Sequence, residues 1–122
     1  MIYIVFSLLH KYINSNEEAA VMKKIVLLCC AGMSTSMLVQ RMKTEAEKQG
    51  KEYDIEADTI NKVDKMIQGA DIVMLGPQVR FATQNFRKKY PDYVFVDIPM
   101  QMYGTFDGRK ILAFAEENMK KQ

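Results

Sequence analysis

The stretch that most narrows what this chain can fold into is Lys24 to Ser36, KIVLLCCAGMSTS, in which an apolar, β-branched-rich run ends at two cysteines and opens into a turn of small residues. A run that is apolar on consecutive rather than alternate positions suits a strand buried on both faces of a parallel sheet. Beyond the turn Ala31-Gly32-Met33-Ser34-Thr35-Ser36, the residues Met37, Leu38, Met42 and Ala46 recur at helical spacing. Arg41, Lys43, Glu45 and Lys48 fill other positions, and Gly50 follows the last helical residue, Gln49. The segment predicts one strand, one loop and one helix, in that order.

The rest of the chain repeats the alternation. Tyr53 to Ala57 reads as a second strand, and Lys62 to Gln68 as a short helix with Val63, Met66 and Ile67 inward, closed by Gly69. Asp71 to Leu75 is a third buried strand, stopped by Gly76-Pro77 because proline cannot donate to a ladder. Gln78 to Lys89 is expected to be helical and Tyr93 to Val96 a fourth strand ending near Asp97. Arg109 to Lys120 is expected to be a last helix with Ile111, Leu112, Ala115 and Met119 inward. Such alternation implies an α/β fold, an open parallel sheet with helices on both faces and right-handed crossovers. Ligands of these sheets sit outside the carboxyl ends of the strands at the switch point, which places the cysteine turn at the expected site.

Composition excludes several classes of function. The 122 residues fit one domain, and 48% hydrophobic with 26% charged residues is ordinary for a globular protein. A net charge of +2 without clustering gives no footprint for nucleic acid. Two adjacent cysteines make no disulfide framework, so a reducing cytoplasm is the expected setting. Met1 to Leu9 is apolar but far short of the roughly 20 residues of a membrane helix, and it lacks the features of a signal peptide. No membrane insertion is expected. Residues 1–22 read as an extension foreign to a domain spanning 23–122, with Met22-Lys23-Lys24 resembling a natural start. Two origins stay open for that extension, an untranslated leader read as protein or a genuine flexible or strand-like segment. His10, the only histidine, lies in it without metal-type companions, so no metal site and no cofactor are expected.

The chemistry is expected at the turn. Backbone N–H groups of a loop entering a helix converge on one point and bind an anion, while Ser34, Thr35 and Ser36 add hydroxyl donors. A thiolate is favoured beside a helix N-terminus, so Cys29 would be a nucleophile facing a pocket for a tetrahedral anion. Phosphate on its sulfur would be held by the same donors. Cys30 would contribute little beyond its backbone N–H. The bland alternative is that both cysteines are small buried hydrophobes. Phosphatases and arsenate reductases of comparable topology place an arginine after Cys and five further residues, to clamp the phosphate. Here Thr35 follows Cys29 at that distance and Ser36 follows Cys30, so the loop suits a carrier better than a hydrolase.

Three segments in order, Ile25 to Ser36, Ala70 to Gln78, and Tyr103-Gly104 followed by Asp107-Gly108, resemble the enzyme IIB proteins of bacterial lactose, cellobiose and chitobiose phosphotransferase systems. The resemblance covers nearly everything from Lys23 onward; Cys30 stands where serine is common. It implies a four-stranded parallel sheet in flavodoxin-like order with a phosphatase-like loop after the first strand. It also implies Cys29 as the phosphorylated residue, with Cys30, Ala31, Gly32, Met33, Ser34, Thr35 and Ser36 forming the phosphate-binding turn. The partners it implies are enzyme IIA, whose phosphohistidine donates, and membrane enzyme IIC, whose bound sugar accepts; the domain would lie in the cytoplasm, peripheral to that permease. The rival readings are a small cysteine-dependent phosphatase or arsenate reductase, and a regulatory module without catalysis. The Gly76-Pro77-Gln78 turn either frames the active loop or simply stops its strand. Asp97 is expected to be a surface or capping carboxylate rather than a general acid, and Arg87-Lys88-Lys89 and Lys120-Lys121 solvated faces.

Overall fold

A computed structural model describes residues 22–30 and 33–120. Strand β1 (Lys23–Cys29) leads into helix α1 (Met33–Lys48), followed by β2 (Tyr53–Thr59), a 3₁₀ turn (Ile60–Lys62) with the short α2 (Val63–Met66), and β3 (Ile72–Leu75). A 3₁₀ segment (Pro77–Ala82) precedes α3 (Thr83–Lys89); then come β4 (Phe95–Asp97), α4 (Met100–Gly104) and α5 (Gly108–Lys120). The strands form one parallel sheet in the order β2-β1-β3-β4. This is the open parallel sheet expected from the alternation, in the flavodoxin-like order that the resemblance implies, with the order reversing on either side of β1.

Both faces of the sheet are covered, which is why its central strands carry no polar alternation. Ile25 and Leu27 of β1 and Ile72 and Met74 of β3 point to one face, under α1 and α5, with Leu38, Met42, Ile111, Leu112 and Ala115. Val26, Leu28, Val73 and Leu75 point to the other, against Val63, Ile67, Val79, Ala82 and Phe95. All four residues of β3 are fully withdrawn from water. Each large apolar side chain so buried contributes about 1.5–3 kcal/mol, on these strands and on the helices that cover them alike.

Several boundaries differ from the sequence expectation. Helix α1 begins at Met33, so the residues from Met33 to Ser36 belong to its first turn rather than to an open loop. Its buried stripe is Thr35, Leu38, Val39, Met42 and Ala46, and Met37, expected inward, is half exposed. The end of α1 follows expectation: Gly50 takes φ +68°, Lys51 N–H bonds to Ala46 O at 2.9 Å and Gly50 N–H to Glu47 O at 3.0 Å. This closing pattern needs a left-handed residue, which glycine supplies without strain. The helix expected over 78–89 splits at Val79, whose φ of −120° interrupts it while the side chain is buried against the sheet. Strand β2 runs two residues past Ala57, β4 starts at Phe95 rather than Tyr93, and α4 was not anticipated.

Candidate active site

Cys29 is the last residue of β1, and continuing the alternation from Ile25 and Leu27 turns its side chain toward the face covered by α1. It is 4% exposed, whereas Cys30 is exposed. The two thiols thus separate by burial. Thr35, 3% exposed in the first turn of α1, donates a hydrogen bond from Oγ1 to Cys29 Sγ at 2.9 Å. The Cys29 thiol in turn lies 3.8 Å from the Asp58 carbonyl oxygen, to which it can donate. Strand pairing explains that contact, because Leu28 is opposite Asp58 and Cys29 opposite Thr59 in the β1–β2 register.

A cleft of about 210 Å³ opens over the sulfur, lined by Cys29, Thr35, Ser36, Ala57, Asp58 and Thr59. Its upper wall is the N-terminal end of a 16-residue helix with no acidic residue in the first turn. The leading N–H groups of such a helix have no partners within it and carry the positive end of its dipole, so the cleft favours an anion. The opposing wall brings in one carboxylate. Asp58 Oδ1 accepts from Thr59 N–H at 2.7 Å, and Oδ2 lies 3.7 Å from Lys62 Nζ, which offsets its charge.

On the other side of Cys29, the turn after β3 comes equally close. A Cβ placed on Gly76 would lie 3.7 Å from Cys29 Cβ and 3.5 Å from the ring of Tyr103, and Gly76 N–H is bonded to Leu28 O at 2.9 Å. The Gly76-Pro77-Gln78 turn therefore stands beside the thiol as well as ending β3. Pro77 and Gln78 continue into an apolar hollow of about 390 Å³ with Met100, Tyr103, Gly104 and Phe106. Tyr103 is 8% exposed, and its hydroxyl reaches Thr35 Oγ1 at 3.3 Å.

Of the residues singled out from sequence, the structure brings together Cys29, Thr35 and Ser36 and sets Cys30 outward. Ala31 and Gly32 lie outside the described residues, as do the side chains of Met33 and Ser34, whose backbone opens α1. Asp97 is at the far side of β3 from β1 and accepts a hydrogen bond from the buried Thr83 hydroxyl. Asp58 and Tyr103 were missed as neighbours of the sulfur. Thr35, expected in the turn, is the one hydroxyl on the buried stripe of α1 among the described side chains. A larger hollow of about 400 Å³ lies at the opposite end of the sheet, but its lining holds the Lys51–Glu116 ion pair and Tyr53 and no thiol. Among the described residues, no group of His, Cys, Asp or Glu side chains could hold a metal, and no helix is long and apolar enough to cross a membrane.

A parallel α/β sheet that ends its first strand in a thiol, beneath a helix N-terminus and beside a small cleft, defines an α/β protein with a candidate anion site at a cysteine. The comparisons specify the class. Residues 24–114 match the family described as PTS system, Lactose/Cellobiose specific IIB subunit, and the chain belongs to that family. It is 43% identical over 104 residues to the galactose-specific EIIB component of Lactococcus lactis subsp. cremoris, covering 80% of this chain and 96% of the relative. The oligo-beta-mannoside-specific EIIB component of Bacillus subtilis is 42% identical over 91 residues, covering 73% of this chain and 88% of the relative. The solution structure of a cellobiose-specific IIB component from Borrelia burgdorferi superposes with a TM-score of 0.69 at 33% identity, over 82% of this chain and 94% of that one. A lactose-specific IIB domain from Streptococcus pneumoniae, 19% identical, shares the fold at a TM-score of 0.70 over 80% and 97%. The protein is accordingly a IIB component of a sugar phosphotransferase system, a phosphotransferase that works with IIA and IIC components.

Proposed function

We propose that Cys29 is the residue that carries the phosphoryl group. It accepts the group from a phosphohistidine of enzyme IIA and passes it to a β-glucoside-type disaccharide, such as cellobiose, chitobiose or lactose, held by membrane enzyme IIC. The observation that carries this reading is the sulfur itself, held at 2.9 Å by Thr35 at the mouth of a cleft under the start of α1. Attack forms the S–P bond as the N–P bond of the phosphohistidine breaks. The three phosphoryl oxygens then face the N–H groups of residues 30–36, with Cys30, Ala31, Gly32, Met33 and Ser34 contributing backbone and Ser36 adding a hydroxyl. No guanidinium stands where a phosphatase has its clamp, since Thr35 occupies that place, which supports retention of the group over rapid hydrolysis. Residues 23–122 are the carrier domain on this reading, working in the cytoplasm against the inner side of the permease.

The test is intact-mass spectrometry after incubation with phosphoenolpyruvate, the general phosphotransferase proteins and the cognate enzyme IIA. One phosphoryl adduct is expected, absent from Cys29→Ser and mapped by fragmentation to Cys29. Phosphate on Cys30 alone, or free phosphate released as fast as it is supplied, would replace this reading with another site or with a phosphatase.

A further inference from the structure

The hydrogen bonds around Thr35 assign its hydroxyl proton and, with it, a role to Tyr103. A hydroxyl has one proton and two lone pairs. Thr35 directs that proton to Cys29 Sγ at 2.9 Å, a short approach for an acceptor larger than oxygen. Only its lone pairs remain for Tyr103, so the phenol is the donor in the 3.3 Å contact between the two hydroxyls. The result is a directed chain, Tyr103 O–H to Thr35 O–H to Cys29 Sγ, with all three residues less than a tenth exposed. In such a chain each bond polarises the next. The ring of Tyr103 is fixed by packing against the main core and Phe106.

This chain acts on the sulfur rather than on the phosphoryl oxygens, and its strength changes during the reaction. While phosphorus is bonded to it, the sulfur carries little charge and is a poor acceptor. When the phosphoryl group departs, the P–S bond breaks with its electron pair left on sulfur. An O–P bond forms to a sugar hydroxyl or to water, and that hydroxyl's proton goes to solvent. A donor aimed at sulfur is then worth most, because charge-assisted hydrogen bonds are the strong ones, and an interaction stronger in the transition state than in the ground state lowers the barrier. We infer that Thr35 is a catalytic residue stabilising Cys29 sulfur as the leaving group in phosphoryl delivery, and that Tyr103 is a positioning residue acting through it. The inference deepens the carrier reading and, in its delivery step, rests on it.

Two measurements on wild type, Thr35→Val, Thr35→Ser, Tyr103→Phe and the Thr35→Val/Tyr103→Phe double variant test it, with folding checked by urea unfolding. In the first, each protein is phosphorylated, freed of its donor, and loss of the adduct to water is followed by mass spectrometry. Thr35→Val is expected to prolong the adduct about tenfold, the effect of losing a hydrogen bond to a group that becomes charged. Tyr103→Phe should prolong it about two- to threefold, Thr35→Ser should restore the wild-type lifetime, and Tyr103→Phe should add nothing in the Thr35→Val background. A loosened site would instead shorten the lifetime. A shortening, or an equal effect of Tyr103→Phe with and without Thr35, overturns the relay.

The second measurement needs no phosphoryl donor. The rate of iodoacetamide alkylation at Cys29, read by peptide fragmentation, should fall about threefold in Thr35→Val and less in Tyr103→Phe, again without further loss in the double variant. Equal rates in all five proteins overturn the relay whether or not the protein accepts phosphate. Wild type that takes up no phosphate, but shows the expected alkylation order, refutes the carrier reading and leaves the chain Tyr103–Thr35–Cys29 standing.

Discussion

Replacing Gly108 by alanine tests whether the position of α1, and with it Thr35, depends on close contact with α5. Gly108 is the first residue of α5, behind Asp107, whose Oδ1 accepts from Lys110 N–H at 3.0 Å as an N-cap does. A Cβ there would lie 2.7 Å from Arg41 C and 2.8 Å from both Arg41 Cβ and Arg41 O. These are mostly backbone atoms of α1, so no side chain can swing aside and the two helices must separate. Overpacking of this kind costs about 1–3 kcal/mol, and three contacts against backbone put it toward the top of that range. The smaller entropy of an unfolded chain with alanine returns about 0.4–1 kcal/mol. The net loss is then about 2 kcal/mol. With a urea m-value of about 2 kcal/mol/M for a small domain, the midpoint should fall by about 1 M at unchanged m. A midpoint equal to or above that of wild type would show that the helices yield freely and that contact with α5 does not set where α1 stands.

The alkaline limb of stability should depend on Tyr53. Burial, the hydrogen bond to Glu116 and the charge of that carboxylate, in that order, push the phenol well above its ordinary value of about 10. A folded-state value raised above the unfolded one gives stability that is fully present below about pH 10 and is lost as pH rises toward the folded value. The urea midpoint of wild type should therefore drop from about pH 9 to about pH 11.5 by more than that of Tyr53→Phe, and equal drops would refute the coupling. Asp97→Ala should leave phosphoryl acceptance at Cys29 unchanged but cost about 1–3 kcal/mol in urea unfolding, because it strands the buried Thr83 hydroxyl. Loss of acceptance in a folded Asp97→Ala protein would restore the general-acid role for that carboxylate.

How much of this was legible in the sequence follows from the range over which each feature is encoded. The strands β1 and β3 and the position of Cys29 are local: KIVLLC and IVML are apolar without interruption, and a strand that ends in a small-residue turn before a helix can place its last side chain in few ways. The open parallel sheet required only the alternation of elements and the hand of the crossovers, whereas its flavodoxin-like order came from the family likeness. The relay onto sulfur is not local. Tyr103 is 68 residues from Thr35, in a five-residue helix too short to show a period, and it reaches the site only through the tertiary fold. Asp58 arrives through register, which pairs Leu28 with Asp58, and register depends on the whole β1–β2 interface rather than on either strand alone. Thr35 lies between these cases, a hydroxyl on the buried stripe of a helix whose start at Met33 shifts it from the loop into the core. A polar residue there must find a partner in the interior. The nearest acceptor is the sulfur that the strand pattern had already placed, so a short-range pattern located the candidate thiol and a long-range packing constraint supplied the groups that orient its hydrogen bonds.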